Sequence, residues 1–276
     1  MALTVRQALA QAGLEPPDAR MLLAHVLGAD RTWLIAHATD PLAATDIERF
    51  FALARRRRDG EPVAYLTGQR EFWGLALAVD RSVLIPRSET ETLVECALAR
   101  LPLDRPVRVL DLGTGSGAIA IAIARERPQA DIWATDQSQA ALAIARTNAE
   151  RMKLANVRWL QSDWYRDLPD REERFDLIAS NPPYVAANDP HLREGDLRFE
   201  PPAALVAGSD GLDALRIIIA GARERLAAGG SLVVEHGYDQ AEPVLSLLRE
   251  AGFSELESRR DLAGIPRIAA ACMPAC

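Results

Sequence analysis

A chain of 276 residues, 49% hydrophobic and 26% charged, has the make-up of a globular protein with room for two domains or one large one. Its net charge of −7 argues against a general nucleic-acid binder, whose surface is usually basic, though it leaves room for a local cationic patch. Cys96, Cys272 and Cys276 lack ligand-like spacing, and His25, His37, His191 and His236 are scattered. Neither a disulfide scaffold nor a metal site is therefore expected, and a reducing compartment fits.

Nothing at the start of the chain resembles a signal peptide, and no run of ~18 apolar residues occurs, so a cytoplasmic protein without a membrane span is expected. Residues 1–68 read as a small helical bundle. Thr4 can cap a first helix running to Gly13, Asp18 a second ending at Gly28, and Arg31 to Ile35 form a short third. Thr45 or Asp46 opens a fourth that ends in Arg55-Arg56-Arg57-Arg58, and another turn or two follows over Glu61 to Leu66. The arginine run suits a solvated helix end, where cations favour the dipole, or a contact with RNA or an acidic partner. Residues 1–86 hold 10 basic against 10 acidic side chains, so the negative charge sits in the remainder.

Residues 69–86 change period. Gln69 to Val79 read as two short strands around Gly74, a β-hairpin linker, and Asp80 to Pro86 connect onward. Ser88 and Glu91 have capping-box spacing before a helix through Leu98. Residues 87–276 then alternate strand and helix. Strands are expected at Val107–Asp111, Ile132–Asp136, Val157–Leu160 and Phe175–Ser180, and after Gly229-Gly230 at Ser231–Glu235. Helices lie between them, and two weaker strands close the chain, so the class is α/β with a mainly parallel sheet covered by helices. Tyr184 to Gly211 is long and irregular, as functional or mobile loops are.

Four places in this pattern carry chemistry. Gly113, Gly115 and Gly117 form a G-x-G-x-G turn between a strand and a helix, with Thr114 and Ser116 between them, and lack both dinucleotide spacing and a P-loop lysine. Asp136 ends the next strand, where a carboxylate can accept hydrogen bonds from ribose hydroxyls; Asp136 could equally serve as a helix cap. Trp164, after Asp163, could pack on an adenine ring or in the core. Asn181-Pro182-Pro183-Tyr184 follows the fourth strand. The prolines stiffen it, Asn181 and the carbonyls offer acceptors, and Tyr184 offers a flat face. Such a set suits a planar group bearing an NH2, and by itself does not distinguish adenine from an amide.

Asp111 to Gly117, Asp136, Asp163-Trp164 and Asn181 to Tyr184, in this order, resemble a class I S-adenosylmethionine-dependent methyltransferase. With Tyr65 to Gly68, Phe72 to Leu75, Leu84 to Arg87, Glu200 to Leu205 and Glu235-His236-Gly237, nearly the whole chain is similar to the peptide chain release factor glutamine methyltransferases (PrmC/HemK family). Ser88 to Glu91 departs slightly from that pattern, which has a proline and an aspartate after the isoleucine-proline-arginine stretch. The resemblance implies a helical substrate-docking domain (1–68), a β-hairpin linker (69–86) and a Rossmann-like catalytic domain (87–276). It implies methylation of the N5 side-chain amide of glutamine in the Gly-Gly-Gln motif of bacterial release factors 1 and 2, modulating translation termination. The cofactor would be S-adenosylmethionine, leaving S-adenosylhomocysteine, with no metal, no DNA partner and a monomeric enzyme. Gly113 to Gly117, Asp136, Trp164 and Asn181 would line the cofactor site, and Asn181, Pro182, Pro183 and Tyr184 would bind the glutamine. Asn181 and the Pro182 carbonyl would take the two amide hydrogens while Tyr184 stacks on the amide plane. Readings from other classes are a DNA adenine methyltransferase, a nicotinamide-dependent oxidoreductase and a non-catalytic adaptor.

Overall fold

The computed structural model describes residues 3–169 and 174–275, so Cys276 lies outside the described residues. Two compact units emerge: residues up to Gln69 together with His191–Phe199, and Arg70–Pro190 together with the residues from Glu200 onward.

The first unit is helical. Helix α1 (Val5–Gln11) starts at Thr4, whose hydroxyl accepts the Gln7 N–H while the Gln7 side chain accepts the Thr4 N–H. Helix α2 (Pro16–Leu27) is not capped by Asp18. Two prolines, Pro16 and Pro17, take its first positions, where a missing N–H costs nothing, so the helix begins earlier and Asp18 falls within its first turn. Helices α3 (Arg31–Ala36), α4 (Ala44–Arg58) and α5 (Val63–Thr67) follow, α4 opening just before the expected Thr45. Val5, Ala8, Leu22, Leu23 and Phe50 fill the core between them.

The arginine run is mostly exposed, as a solvated helix end is, while three of its side chains also bond within their own unit. Arg56 forks onto the Glu61 carboxylate with two bonds of 2.7 Å. Arg57 reaches Asp18 at 2.7 Å and Asp196 at 2.8 Å, and Arg58 donates to the Ala12 carbonyl at 2.9 Å. Asp196 belongs to the irregular stretch beyond Tyr184, so Arg57 ties two distant pieces of sequence together. Its two carboxylates hold the guanidinium pKa up against the opposing pull of burial. Arg57→Ala is expected to cost about 2 kcal/mol, because charge-assisted bonds are lost on both sides. Urea unfolding at low and high salt checks this: a loss below about 0.5 kcal/mol at both would make the contact a mere surface pair.

The second unit opens with a hairpin, β1 (Gln69–Phe72) and β2 (Leu75–Ala78). Its turn residues Trp73 and Gly74 both sit at positive φ, 54° and 67°, as a tight hairpin demands. After α6 (Thr90–Arg100) the chain alternates: β3 (Arg108–Leu112), α7 (Ala118–Glu126), β4 (Asp131–Asp136), α8 (Gln139–Arg151), β5 (Val157–Gln161), β6 (Phe175–Ser180), α9 (Asp213–Arg225), β7 (Leu226–Glu235), α10 (Ala241–Glu250), β8 (Ser254–Arg260) and β9 (Pro266–Cys272). The capping box over Ser88 and Glu91 does not form. Ser88 donates to the Glu89 carboxylate, and Glu91 instead accepts the Trp73 N–H at 2.8 Å, so α6 begins at a buried Thr90.

The seven strands lie in the order β5-β4-β3-β6-β7-β9-β8, parallel except where β9 runs against its neighbours. Side chains alternate between the faces. Val109, Ile132 and Leu177 pack under α6 and α7, while Leu110, Leu112 and Ile178 pack under α9 and α10. Gly229 and Gly230 do not precede the β7 strand as a loop. They form an irregularity within it, where the β6 register jumps from Phe175–Leu226 to Leu177–Ser231.

Candidate active site

In this sheet the chain runs from β3 out to β5, then returns to the other side of β3 as β6. That reversal opens a crevice at the carboxyl ends of β3 and β6, where open α/β sheets bind ligands. Leu112 stands opposite Thr135 and Ser180, Asp136 opposite Gln161, and Ser180 opposite Val234. One residue further, Asp136, Gly113, Asn181 and Glu235 therefore fall in a single row across four adjacent strands. Three of the places singled out in the sequence meet there, and a fourth residue joins them.

A cavity occupies this row. Gly113 to Ser116, Asp136, Trp164, Asn181 and Pro183 line it. Gly117, Pro182 and Tyr184 lie outside that lining, Pro182 buried and Tyr184 half-buried. Opposite stand Leu84, Pro86, Pro201 and Ala204. This wall is held by Glu200, whose buried carboxylate accepts the Ile85 N–H at 3.2 Å and pairs with Arg87.

The glycine turn is built for close approach. Gly115 has φ +55° and open space where a Cβ would stand. Gly117 has φ +85° and no such space, because a Cβ there would meet Ile121 at 2.9 Å and Ala145 at 3.1 Å. One glycine thus opens the backbone to the cavity and the other seats α7 against α8. Asn148 of α8, fully buried, donates to the carbonyls of Ser116 (2.9 Å) and Ala78 (3.0 Å), fastening the turn to the hairpin.

Asp136 accepts the Gly115 N–H at 2.9 Å and the Ser138 N–H at 2.8 Å, so its carboxylate shapes the turn as well as facing the cavity. Ser138 supplies the cap of α8, accepting the Ala141 N–H at 3.2 Å. The Trp164 ring both packs on the core and covers Gly113, 3.6 Å from where a Cβ would sit. Asp136 and Asp163 are the charged side chains of the lining among the described residues, and both are acidic. Behind them Asp111 accepts the Thr114 hydroxyl at 2.6 Å and the Ala120 N–H at 3.2 Å with one oxygen, while its other oxygen is buried without a partner. A pyrophosphate would meet repulsion here; a cationic ligand would not.

At the other side, Asn181 donates from Nδ2 to the Thr90 hydroxyl at 3.1 Å, and its Oδ1 is buried without a partner. Thr90 donates to Glu235 Oε2 at 2.7 Å, and the Tyr184 hydroxyl donates to Glu235 Oε1 at 3.2 Å. The Tyr184 carbonyl is held in turn by the Gln240 amide at 3.0 Å. Asp111 and Glu235 lie in stretches that carry the family resemblance, and Glu235 ends a strand as Asp136 does, but no role is read for either from sequence; Thr90 stands in the stretch that departs from the pattern.

Burial raises the pKa of Asp111 from its ordinary 3.8 to about 7, against the pull of its two hydrogen bonds. Burial likewise raises Glu235 from 4.5 to about 7, opposed by the Thr90 and Tyr184 hydroxyls. Between those values the folded chain keeps protons that the unfolded chain releases. Stability therefore falls as pH rises through this window and levels off above about 7. Unfolding in urea between about pH 5 and 7.5 should show that decline in the ligand-free protein, and Asp111→Asn or Glu235→Gln should flatten it. An unchanged slope in both variants would contradict the burial argument. Among the described residues no group of three His, Cys, Asp or Glu side chains is placed to hold a metal ion.

The PrmC N-terminal domain family matches residues 4–68, and the methyltransferase small domain family matches residues 89–194. A release factor glutamine methyltransferase of Bordetella pertussis is 54% identical over 264 residues, covering 96% of this chain and 97% of its own. The namesake from Escherichia coli is 46% identical, covering 91% and 90%. The chain belongs to the release factor glutamine methyltransferase family. It is accordingly an S-adenosylmethionine-dependent methyltransferase, and its sheet is the class I Rossmann-like one. The fold is shared with a methyltransferase from Pyrococcus furiosus, with a TM-score of 0.55 at 18% identity over 80% of this chain and 98% of that one. It is shared too with a 16S rRNA methyltransferase from T. thermophilus, with a TM-score of 0.55 at 22% identity over 74% and 49%. No helix among the described residues is long and apolar enough to cross a membrane.

Proposed function

We propose that this protein methylates the N5 side-chain amide of the Gly-Gly-Gln glutamine in bacterial release factors 1 and 2, and so tunes translation termination. It acts in the cytoplasm as a monomer, without a metal and without binding DNA. Relatives of that name at 46–54% identity support the reading. Those relatives carry the choice of glutamine over adenine, and the site fits it: the Asn181 oxygen is buried beside the cavity with no partner, while the amide nitrogen of the same side chain is engaged by Thr90. An acceptor so placed wants a hydrogen-bond donor, which a substrate NH2 supplies.

The cavity fits the cofactor. Gly113 to Gly117, Asp136, Trp164 and Asn181 would hold it, with Asp136 on the ribose and Trp164 against the adenine. The acidic lining suits its positive charge. When bound, S-adenosylmethionine supplies a methyl group made electrophilic by the sulfonium, and S-adenosylhomocysteine remains.

An amide nitrogen is a poor nucleophile because its lone pair is shared with the carbonyl. The chain must therefore aim that nitrogen and keep water away. Asn181 Oδ1 and the Pro182 carbonyl accept the two amide hydrogens, and the Tyr184 ring lies against the amide plane. These acceptors enrich the nitrogen and stabilise positive charge as it develops there. No dedicated base is invoked, because methyl transfer leaves the amide nitrogen cationic with both its hydrogens, and in that form it is acidic enough to lose one to water.

Incubation with labelled S-adenosylmethionine and either a purified release factor or DNA, followed by mass spectrometry, tests the reading. Label on the glutamine is expected; label on adenine alone would overturn it. The N-terminal unit is assigned the docking of the release factor body. Deleting residues 1–68 should then weaken methylation of the whole factor far more than that of a short Gly-Gly-Gln peptide. Equal loss on both would reduce that unit to a structural role.

A further inference from the structure

We infer that Thr90 and Glu235 are positioning residues, a two-step hydrogen-bond relay that sets which way the Asn181 amide faces and thereby makes the site present an acceptor to the substrate. The inference rests on the reading that Asn181 holds the substrate amide.

The geometry runs through one hydroxyl. A threonine hydroxyl has one hydrogen to donate and lone pairs to accept with. Thr90 directs its hydrogen to Glu235 Oε2 at 2.7 Å, the shorter of its two contacts. Only acceptor capacity is left on the side facing Asn181, so the 3.1 Å contact there must be filled by an N–H. The Asn181 carboxamide therefore turns its nitrogen to Thr90 and its oxygen away. The opposite rotamer would set oxygen against oxygen. It would also present an NH2 to the substrate, where an amide NH2 would find no acceptor.

Glu235 can impose this polarity because nothing else near it competes. It is 1% exposed and follows Val234, which pairs across the sheet with the residue before Asn181. Both carboxylate oxygens take hydroxyls, Thr90 from the start of α6 and Tyr184 from the loop after β6. The charged groups that bear on it are Arg267 from β9, which favours the ionised form, and Glu89 beside Thr90, which opposes it. Arg87 bears on Tyr184 from the connector, and His236, the next residue, bonds through Nδ1 with the Gly237 carbonyl at 2.8 Å. A proton on Oε2 turns Glu235 into the donor to Thr90; the Thr90 hydrogen is then released toward Asn181, and the carboxamide is free to flip. The ionised form is the competent one, so methyl transfer should rise with pH as Glu235 loses its proton. Burial places that step near pH 7.

Thr90→Val keeps the shape and removes the hydroxyl; Thr90→Ser keeps the hydroxyl; Glu235→Gln keeps the shape and removes the charge. Single-turnover methylation of a Gly-Gly-Gln peptide at saturating S-adenosylmethionine should fall about 10- to 100-fold in Thr90→Val and Glu235→Gln. Thr90→Ser should recover most of what Thr90→Val loses. Thr90 and Asn181 also line the cofactor cavity, so cofactor affinity by calorimetry should fall less than the rate does, by under about tenfold, or 1.4 kcal/mol. In the wild type, the rate and the carboxyl band of Glu235 followed by infrared spectroscopy should titrate with one midpoint, and Glu235→Gln should lose both the band and the pH dependence. Should Glu235→Gln not fold, Thr90→Val must still shift that midpoint. Wild-type rates and an unmoved pH profile in Thr90→Val and Glu235→Gln, with Asn181→Ala inactive, would overturn the relay alone. An active Asn181→Ala would overturn both the relay and the reading on which it rests.

Discussion

Asn181→Ala should reduce single-turnover methylation of release-factor glutamine by about 10³-fold, the upper end of what one preorganised polar group contributes to a charged transition state. The protein should remain folded. Asn181 is half-buried at the edge of a cavity, and the Thr90 hydroxyl that loses its donor can be reached by water. Alanine removes the one buried acceptor in the row that lacks a partner, so the loss in the chemical step should exceed whatever Asn181, as part of the cofactor site, contributes to cofactor affinity. Stopped-time assays at saturating cofactor, with a melting curve for each variant, check this. A rate within about tenfold of wild type would remove Asn181 from its assigned role.

Gly117→Val should be the most damaging single change in the glycine turn. At φ +85° a β-branched residue is strained before any contact is considered. Its Cβ would then press on Ile121 at 2.9 Å, Ala145 at 3.1 Å and Trp159 at 3.2 Å, all packed between sheet and helices. Strain and overpacking together should cost about 3 kcal/mol or more, and cofactor binding should be lost with the displaced start of α7. Gly115→Ala is the control. Its Cβ meets nothing within 4 Å, so only the backbone conformation is penalised, by about 1 kcal/mol. Equal destabilisation of the two variants in urea would show that the packing behind Gly117 is looser than these distances indicate.

Much of this was legible in the residues. Except for β7, which begins five residues before the expected Ser231, period and punctuation place the strands of the catalytic unit to within a residue or two, because buried parallel strands are apolar runs and the small residues of Ala118 to Ala124 mark a helix lying flat on a sheet. Helix starts were harder to read. Asp18, Ser88 and Glu91 each had the spacing of a cap, and each is engaged elsewhere, Asp18 by Arg57 and Glu91 by the Trp73 backbone. A side chain that can cap can also bind a distant partner, and which wins depends on what the fold brings near. The arginine run shows the same limit. Its charge suggested solvent or a partner, and Arg55, Arg56 and Arg58 are indeed exposed, but the bonds of Arg56, Arg57 and Arg58 to acceptors of their own unit were not legible.

The sequence by itself determined the α/β class, the ordered series of glycine turn, strand-end aspartate and Asn-Pro-Pro-Tyr loop, and the chemistry of a cradle for a planar NH2. These are local matters: turn glycines, strand ends and prolines act on their own stretch of backbone. Only the tertiary structure decided that Gly113, Asp136, Asn181 and Glu235 share one row, because sheet register relates residues more than a hundred positions apart. It alone showed Asp111 and Asn181 each keeping an idle buried oxygen, and Thr90 standing between Asn181 and Glu235. Hydrogen-bond direction depends on which neighbour has already claimed each proton, and that is a property of the assembled network rather than of any segment within it.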